Sequence, residues 1–332
     1  MGKLPPEQLK VILSCIKKDA RVIVPPRAGY DSGVHLIDDK CVVVSTDPCI
    51  GVPEEWFGWF LVNFAASDVA VFGAQPEYGT INLLAPVDTN EEVFERVMKK
   101  TCEAADELHM TIITGHTGTY DELSSLIGTC TAYGFIERDQ LITPAGARPG
   151  DHLICTKPIG LETLVNLALT RQKLAEDLFG REETLKLKGK VKMETCVHEA
   201  LLLAKLGGVT AMHDATEGGF VAALNEIADA SNAGFSVDFG RLPILPQLRR
   251  LVEYFKLTEN QVLSVSSTGT LLAAVSPGHV DRAIQDLSKI GLEAKSVGVF
   301  TKGKSRWIGF DGKRTRFPRW ADDPYARIVL DR

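Results

Sequence analysis

Short apolar runs alternate with longer segments of helical periodicity along most of the chain. Leu9, Ile12, Leu13 and Ile16 recur at helical spacing, which predicts an amphipathic helix over residues 6–18. Further helices are predicted at 56–72, 91–108, 160–170, 184–206, 220–228 and 280–290. Strands are predicted at 22–24, 34–37, 41–45, 78–84, 111–114, 126–135, 151–156, 209–212, 269–275, 294–300 and 307–310. This order predicts that each half of the chain mixes helices and strands.

A run rich in proline and glycine divides the chain near its middle. Residues 143–150 read Thr-Pro-Ala-Gly-Ala-Arg-Pro-Gly, a composition typical of linkers. A chain of 332 residues is also long enough for two domains of ordinary size, each with its own core. The sequence therefore predicts an N-terminal domain over 1–145 and a C-terminal domain over 146–332.

Two carboxylates flank a predicted β-hairpin in the N-terminal half. Asp38-Asp39-Lys40 has good turn composition and joins two short apolar runs. If the turn centres on Asp39, Asp31 and Asp47 face each other at the open end of the hairpin. Adjacent carboxylates repel each other unless they share a cation or a proton. A metal ion is the economical explanation for this pair.

A third carboxylate, Asp68, lies in the predicted helix 56–72, which is apolar nearly all round and therefore predicted to be buried. An unpaired charge that is removed from water costs several kcal/mol or more. Asp68 is therefore expected to be paired or to ligate a metal ion.

A fourth carboxylate, Asp214, follows the strand 209–212 and precedes the helix 220–228. Thr216 is a good N-cap for that helix, and Gly218 and Gly219 leave free backbone N–H groups near the positive helix end. Such an arrangement predicts an anion site. Asp214 would repel a bare phosphate there, but a magnesium ion between them turns the repulsion into a bridge.

The segment Gly115-His116-Thr117 directly follows the predicted strand 111–114. Its glycine permits close backbone approach, and its hydroxyl can reach a phosphate oxygen or a metal. Alone it is a weak signal, and a plain turn with a hydrogen-bonded structural histidine is the favoured interpretation.

Charge argues against nucleic acid and membrane partners. The net charge is −6 and the pI is near 5.7, which gives no general attraction for anionic surfaces. One basic run lies between residues 302 and 319. A solvated C-terminal hairpin is its favoured interpretation, because Trp307, Ile308 and Phe310 alternate as in a half-buried strand, and a surface for an acidic ligand is the alternative.

Seven cysteines include no C-x-x-C pair, which argues against a zinc ribbon or a disulfide framework. Most lie in apolar runs, where cysteine acts as a small buried hydrophobe. They are interpreted as reduced core thiols of a cytoplasmic protein. No signal-peptide apolar region and no stretch of eighteen apolar residues is present.

Six motifs in order resemble one enzyme superfamily. It groups aminoimidazole ribonucleotide synthetase, selenophosphate synthetase, thiamine-monophosphate kinase and the hydrogenase-maturation factor that dehydrates a protein thiocarbamate. The motifs are Tyr30-Asp31-Ser32-Gly33-Val34, Ser45-Thr46-Asp47, residues 67–76 (Ser-Asp-Val-Ala-Val-Phe-Gly-Ala-Gln-Pro), Gly115-His116-Thr117, Pro149-Gly150-Asp151 and the segment from Met212 to Ala228. The last of these is most similar to the hydrogenase-maturation branch.

The resemblance implies a two-domain PurM-like fold of the α/β and α+β class. Its N-terminal domain forms a β-barrel shared between two subunits, its C-terminal domain is α+β, and ATP binds with magnesium or manganese between the domains. At matching positions, the metal ligands would be Asp31, Asp47, Asp68 and Asp214. The nucleotide site would be lined by Thr46, Gly115, His116, Thr117, Gly218 and Gly219. The expected partners are a small-molecule substrate and a second copy of the chain.

The chemistry implied by the resemblance is transfer of the γ-phosphoryl group of ATP to a small molecule, and the motifs assign no catalytic residue. Departures from the family pattern limit the substrate. Tyr30 replaces one of the paired acids, Ser67 replaces an asparagine, and the chain ends in residues 328–332 rather than in a cysteine tail. A metal-dependent phosphohydrolase and a nucleotide-binding regulator without turnover are the alternatives.

Overall fold

The computed structural model describes Leu4 and residues 6–331, which divide into two compact units. The N-terminal unit comprises residues 16–26 and 31–141. The C-terminal unit comprises residues 142–331, together with residues 27–30 and the described residues up to Cys15. The main division falls between Leu141 and Ile142, just before the run rich in proline and glycine.

The first 141 residues contain three helices and six strands within the described part of the chain. In order they are α1 (Pro6–Leu13), β1 (Val22–Val24), β2 (Gly33–Ile37), β3 (Lys40–Cys49), α2 (Glu54–Ala70), β4 (Tyr78–Ala85), α3 (Glu91–Glu107), β5 (Thr111–Thr119) and β6 (Ile127–Glu137). Helix α1 ends at Leu13, so the predicted helix to residue 18 was too long.

The strands of the N-terminal unit form one sheet in the order β1-β2-β3-β6-β4-β5. All neighbours are antiparallel except β4 and β5, which are parallel because α3 crosses between them. This is an open sheet, and no closed barrel is formed by the described strands of the single chain.

The hairpin of β2 and β3 has a register one residue away from the predicted one. Gly33 pairs with Val44 and Ile37 pairs with Lys40, so the turn consists of two residues, Asp38 and Asp39. Asp38 adopts a left-handed backbone with φ of 53°, as the first position of such a tight turn requires. The predicted face-to-face pairing of Asp31 with Asp47 was therefore wrong.

Helix α2 lies against β3 and β6 and is buried almost throughout, as its apolar sequence predicted. Phe60, Leu61 and Val62 are fully buried at consecutive positions, so every side of the helix contacts protein. Asp68 is buried in the same helix, with only 5% of its surface exposed. The helix thus carries a carboxylate into the packed side of the sheet.

The rest of the chain contains nine α-helices and seven strands within its described residues. In order they are β7 (His152–Thr156), α4 (Leu161–Thr170), α5 (Gln172–Phe179), α6 (Arg181–Lys188), α7 (Val197–Leu206), β8 (Val209–Asp214), α8 (Gly219–Ala230), β9 (Gly234–Asp238), α9 (Pro246–Phe255), α10 (Glu259–Ser264), β10 (Leu271–Val275), α11 (Val280–Lys289), β11 (Ala294–Thr301), β12 (Arg306–Phe310), β13 (Lys313–Arg316) and α12 (Tyr325–Val329). The predicted continuous helix over 184–206 is two helices, α6 and α7, separated by a short 3-10 turn at Val191–Met193.

The second sheet has the order β13-β12-β9-β11-β7-β10-β8. Strands β9 and β12 are parallel, and every other neighbouring pair is antiparallel. The core of this unit includes the edge-to-face contacts of Phe317 with Phe220 and Phe235. This mixture of helices and a largely antiparallel sheet is the predicted α+β class.

Cysteine placement agrees with the prediction of free thiols. Seven cysteines are free, and five of them are buried: Cys41, Cys49, Cys130, Cys155 and Cys196. Burial raises the pKa of the Cys155 thiol to about 12, so this group stays neutral at ordinary pH. A search of the described helices finds none with the length and apolar character needed to cross a membrane.

Candidate functional site

The hydroxyl of Ser45 joins the acidic segments of the N-terminal unit. Its Oγ lies 2.7 Å from Oδ2 of Asp68 on α2 and 3.2 Å from the backbone carbonyl of Asp31. The Oγ of Ser32 donates to the backbone carbonyl of Asp68 over 2.9 Å. These bonds hold the segment before β2, strand β3 and helix α2 together at one place. The structure thus brings the backbone of Asp31 and the carboxylate of Asp68 to the same hydroxyl.

Asp47 lies two residues after Ser45 on β3, so both side chains leave the same face of the strand. Cys130 is opposite Asp47 on β6, and burial together with the charge of Asp47 raises the pKa of this thiol to about 12. The pKa of Cys49 is also raised well above its ordinary value, by burial and then by Asp47. Both shifts favour the neutral form of these thiols in the absence of a bound cation.

Thr46 lies on the opposite face of β3. It is exposed, and its Oγ1 is 2.9 Å from Oγ1 of Thr131 on β6. Because successive side chains of a strand alternate between faces, Thr46 does not join Ser45 and Asp47.

Gly115, His116 and Thr117 lie within β5, so the predicted loop after a strand at 111–114 was wrong. Gly115 is needed by the sheet itself, since a Cβ at this position would lie 2.3 Å from the carbonyl oxygen of Ile81 on β4. The Nε2 of His116 is 2.8 Å from the hydroxyl of Tyr120. Strands β6 and β4 separate β5 from β3, a distance of about 14 Å. The structure therefore does not gather this segment with Ser45.

The C-terminal unit presents Asp214 at the end of β8. Asp214 is 2% exposed, and its Oδ1 is buried without a hydrogen-bond partner. The neighbouring His213 donates from Nδ1 to the backbone carbonyl of Asp214 over 2.8 Å, and its Nε2 lies 2.9 Å from Glu226 Oε2 on α8. A buried carboxylate oxygen that accepts nothing from the protein is a candidate ligand atom for a cation.

The start of α8 differs from the predicted one. Its N-cap is Gly218, in a left-handed conformation with φ of 80°, rather than Thr216. A Cβ on Gly219 would lie 2.3 Å from the carbonyl of Val265, so close packing requires glycine there. The N–H of Gly218 donates to Oδ2 of Asp323 over 2.9 Å. The predicted anion position at this helix start thus holds a carboxylate from the same chain.

Residues 29–136 match the family model of AIR synthase related protein, N-terminal domain, and residues 148–308 match AIR synthase related protein, C-terminal domain. The chain belongs to the AIR synthase-related family. Together the two models cover both halves of the chain, in the order that the six motifs predicted, and the predicted recognition of this superfamily is confirmed.

Two enzymes are similar in sequence to this chain over most of its length. A carbamoyl dehydratase HypE of Cupriavidus necator is 29% identical over 78% of this chain and 71% of its own. A selenide, water dikinase of Porphyromonas gingivalis is 26% identical over 90% of this chain and 92% of its own. Both names denote enzymes.

Solved structures of the AIR synthase-related fold superpose on this chain. HypE of E. coli gives a TM-score of 0.74 at 23% identity and covers 86% of this chain and 88% of its own. A structure of HypE in complex with ATP gives a TM-score of 0.71 at 19% identity and covers 96% of this chain and 91% of its own. These similarities establish the two-domain fold.

Three residues of this AIR synthase-related protein with contacts at the candidate site were not among the predicted site residues: Ser45, Glu226 and Asp323. Ser45 carried a usable signal, because strand alternation places it on the face of Asp47. The contacts of Glu226 and Asp323 join segments far apart in the sequence, so local patterns hold no signal for them.

The donor atoms in each unit fit a hard divalent cation. Carboxylate and hydroxyl oxygens are the ligands that Mg²⁺ and Mn²⁺ prefer, whereas zinc favours thiolate and imidazole. The unpartnered Oδ1 of Asp214 agrees with this donor chemistry.

Proposed function

We propose that this protein is an ATP- and Mg²⁺-dependent enzyme that transfers the γ-phosphoryl group of ATP to a small-molecule substrate. The observation that carries the proposal is the Ser45 hydroxyl, which draws the Asp31 segment and Asp68 together beside Asp47. Phosphoryl transfer needs little beyond positioning and charge neutralisation. The ATP complex of the structurally similar HypE supports the choice of nucleotide.

Under this proposal Asp31, Asp47, Asp68 and Asp214 hold Mg²⁺ or Mn²⁺. The bound cation would neutralise phosphate charge. Ser45 orients the carboxylate of Asp68, and Thr46, Gly115, His116, Thr117, Gly218 and Gly219 contribute to nucleotide binding. Asp323 already accepts the N–H of Gly218, so a phosphate at that N–H would have to replace the carboxylate.

The test is ADP release by the purified chain with ATP, Mg²⁺ or Mn²⁺ and a panel of small metabolites, compared with Asp47→Asn. We expect turnover by the wild-type protein and a fall of about 100-fold or more in Asp47→Asn, because the variant removes a charge that holds the cation. Isothermal titration with ATP and Mg²⁺ gives the binding affinity of both proteins. Asp39→Asn, which removes the charge of an exposed carboxylate in the turn between β2 and β3, is the matched control.

The outcomes separate the proposal from its alternatives. ATP binding without ADP release across the panel would identify a nucleotide-binding regulator. Phosphate release from phosphorylated metabolites in the absence of ATP would identify a phosphohydrolase. Absence of ATP binding by the wild-type chain would contradict the proposed function.

We also propose that two copies associate through their N-terminal sheets to form the shared barrel of the family. The supporting observation is β5, an edge strand that is exposed along most of its length. Its Ile113 is 51% exposed, and Tyr120 just beyond the strand is 41% exposed. Exposed edge strands with apolar side chains are ready templates for pairing.

Ile113→Lys is expected to convert a dimer to a monomer, because a lysine on the pairing edge places charge where β5 would meet its partner. Light scattering coupled to size-exclusion chromatography measures the mass. Leu185→Lys, at a 55% exposed position on α6, is the control. A monomeric wild-type protein, or a dimer insensitive to Ile113→Lys, would exclude this interface.

A further inference from the structure

Glu162 is a partly exposed carboxyl group at the start of α4, outside the acidic motifs. Its Oε2 accepts the backbone N–H of Thr268 over 3.0 Å and the Thr268 hydroxyl over 2.7 Å. Ser266 and Ser267 fix the same helix start, since the Ser266 carbonyl accepts the Thr163 hydroxyl and the Ser267 hydroxyl accepts the N–H of Gly160. The carboxyl group is therefore held in place through Oε2.

The loop that holds Glu162 is bonded to the loop that carries Asp214. The N–H of Ala215 donates to the Thr270 carbonyl over 2.8 Å, and the N–H of Ser267 donates to the Ala215 carbonyl over 3.0 Å. Glu162 thus belongs to the same end of the C-terminal unit as Asp214, one loop away from it.

A second carboxyl group, Glu194, lies close enough to Glu162 to be affected by its charge and is fully buried. The amide nitrogen of Asn166 is 3.4 Å from Glu194 Oε2. Glu194 Oε1 and Asn166 Oδ1 are both buried without a hydrogen-bond partner. A carboxylate and an amide oxygen can only accept, whereas a protonated carboxyl group can donate. A proton on Glu194 therefore removes one of these two unpartnered acceptors, because the protonated oxygen becomes a donor.

Burial and nearby acidic groups raise the pKa of both Glu162 and Glu194. Burial raises the pKa of Glu162 to about 7 against the lowering effect of the two Thr268 bonds, and Asp323 and Glu217 raise it further. Burial and then the charge of Glu162 raise the pKa of Glu194 well above its ordinary value. Tyr325 lies beside both and bonds Asn166 through its hydroxyl.

A lysine of the C-terminal unit, Lys157, already has partners elsewhere in that unit. Lys157 pairs with the buried Glu199 and donates to the Thr195 carbonyl. Within residues 6–331 Glu162 forms no ion pair, so no cation of the described chain stabilises its charged form.

We propose that Glu162 accepts the proton of the substrate's nucleophilic hydroxyl group, with the buried carboxyl group of Glu194 nearby. The inference rests on the proposed function. As the substrate oxygen forms its bond to the γ-phosphorus of ATP, the bond from that phosphorus to the β,γ-bridging oxygen breaks and ADP leaves. The proton of the hydroxyl moves to Glu162, which later releases it to water. A base that titrates near neutrality suits such a transfer.

The first measurement is the pH profile of ADP release with the metabolite that gives turnover. Below about pH 7 the wild-type rate is expected to fall, because Glu162 is then protonated and cannot accept. Glu162→Gln should reduce the rate by about 100-fold or more and remove this dependence. It should leave ATP affinity unchanged, because the residue binds neither the nucleotide nor the cation in this scheme.

Two further variants separate proton transfer from a structural role. Thr268→Val removes one bond that favours the charged form, so the fall in rate should move to higher pH. Glu194→Gln preserves a neutral group of the same size and should retain the pH profile. If Glu162 had only a structural role, the pH at which the rate falls would be the same in Thr268→Val as in the wild type.

The second measurement is thermodynamic and does not need activity. The native state holds a proton on Glu162 that the unfolded chain releases above its ordinary pKa of 4.5. The wild-type protein should therefore lose stability relative to Glu162→Gln as the pH rises from 4.5 to about 7.

Full turnover and an unchanged pH profile in Glu162→Gln would overturn the inference, as would a stability difference that does not vary over this pH range. Failure of the wild-type chain to bind ATP would overturn the proposed function itself. That result differs from one in which ATP is bound and Glu162→Gln still turns over, which would overturn only the role of Glu162.

Discussion

Asp68→Asn is expected to abolish Mg²⁺-dependent ADP release while leaving the fold intact. Asp68 is a buried carboxylate on a helix that is otherwise almost entirely apolar, and the Ser45 hydroxyl holds its Oδ2. Asparagine keeps the size of the side chain but removes the charge that attracts the cation. We expect a loss of about 100-fold or more in ADP release.

The same variant should lose the stabilisation that the metal-nucleotide complex gives. At about 100 times its Kd, a ligand that binds only the native state adds about 2.7 kcal/mol to the free energy of unfolding. Thermal unfolding with and without ATP and Mg²⁺ measures this added stability in the wild type and in Asp68→Asn. Ser45→Ala, which keeps the charge and removes one hydrogen bond, should retain most of it. Strong destabilisation of Asp68→Asn in metal-free buffer would instead show that the carboxylate is structural.

Glu199→Gln is expected to cause a large loss of stability, and this loss is expected in the C-terminal unit. Lys157 and Glu199 form an ion pair with side chains that are 3% and 2% exposed. Removing one partner leaves the other charge buried and uncompensated, which costs about 3–5 kcal/mol. Hydrogen exchange of β7 and α7, followed by mass spectrometry, measures this loss locally. A local measurement is appropriate because a chain of two units need not unfold in one step.

Two controls define the cause of that loss. The double variant Lys157→Met with Glu199→Leu removes both charges, so it should recover much of the stability of the wild type. Glu182→Gln breaks the exposed pair with Lys186 and should change stability by about 1 kcal/mol or less. Equal effects of Glu199→Gln and Glu182→Gln would contradict the burial argument.

Elements with strong local patterns were predicted well. The apolar run of α2 predicted both a helix and its burial, because no rotation of this helix exposes a polar face. By contrast, the polar and glycine-rich residues 114–119 indicated a turn, and only pairing with β4 makes them the end of a strand.

The sequence indicated residue types for a candidate site but not their arrangement. The acidic motifs drew attention to Asp31, Asp47 and Asp68, and the structure gathers their segments around Ser45. The hairpin register was predicted one residue away, because a centred three-residue turn and the observed two-residue turn have similar composition. The roles of the predicted ligands remain predictions that the Asp47 and Asp68 variants test.

The sequence by itself determined the alternation of elements and the order of the acidic motifs, because each depends on residues close together along the chain. Tertiary structure decided which partners the carboxyl groups have. Asp323 accepts the N–H of Gly218 across 105 residues of sequence, and Glu162 accepts the N–H of Thr268 across 106. Burial and hydrogen bonding set the charge of such groups, and both arise only when distant segments pack together.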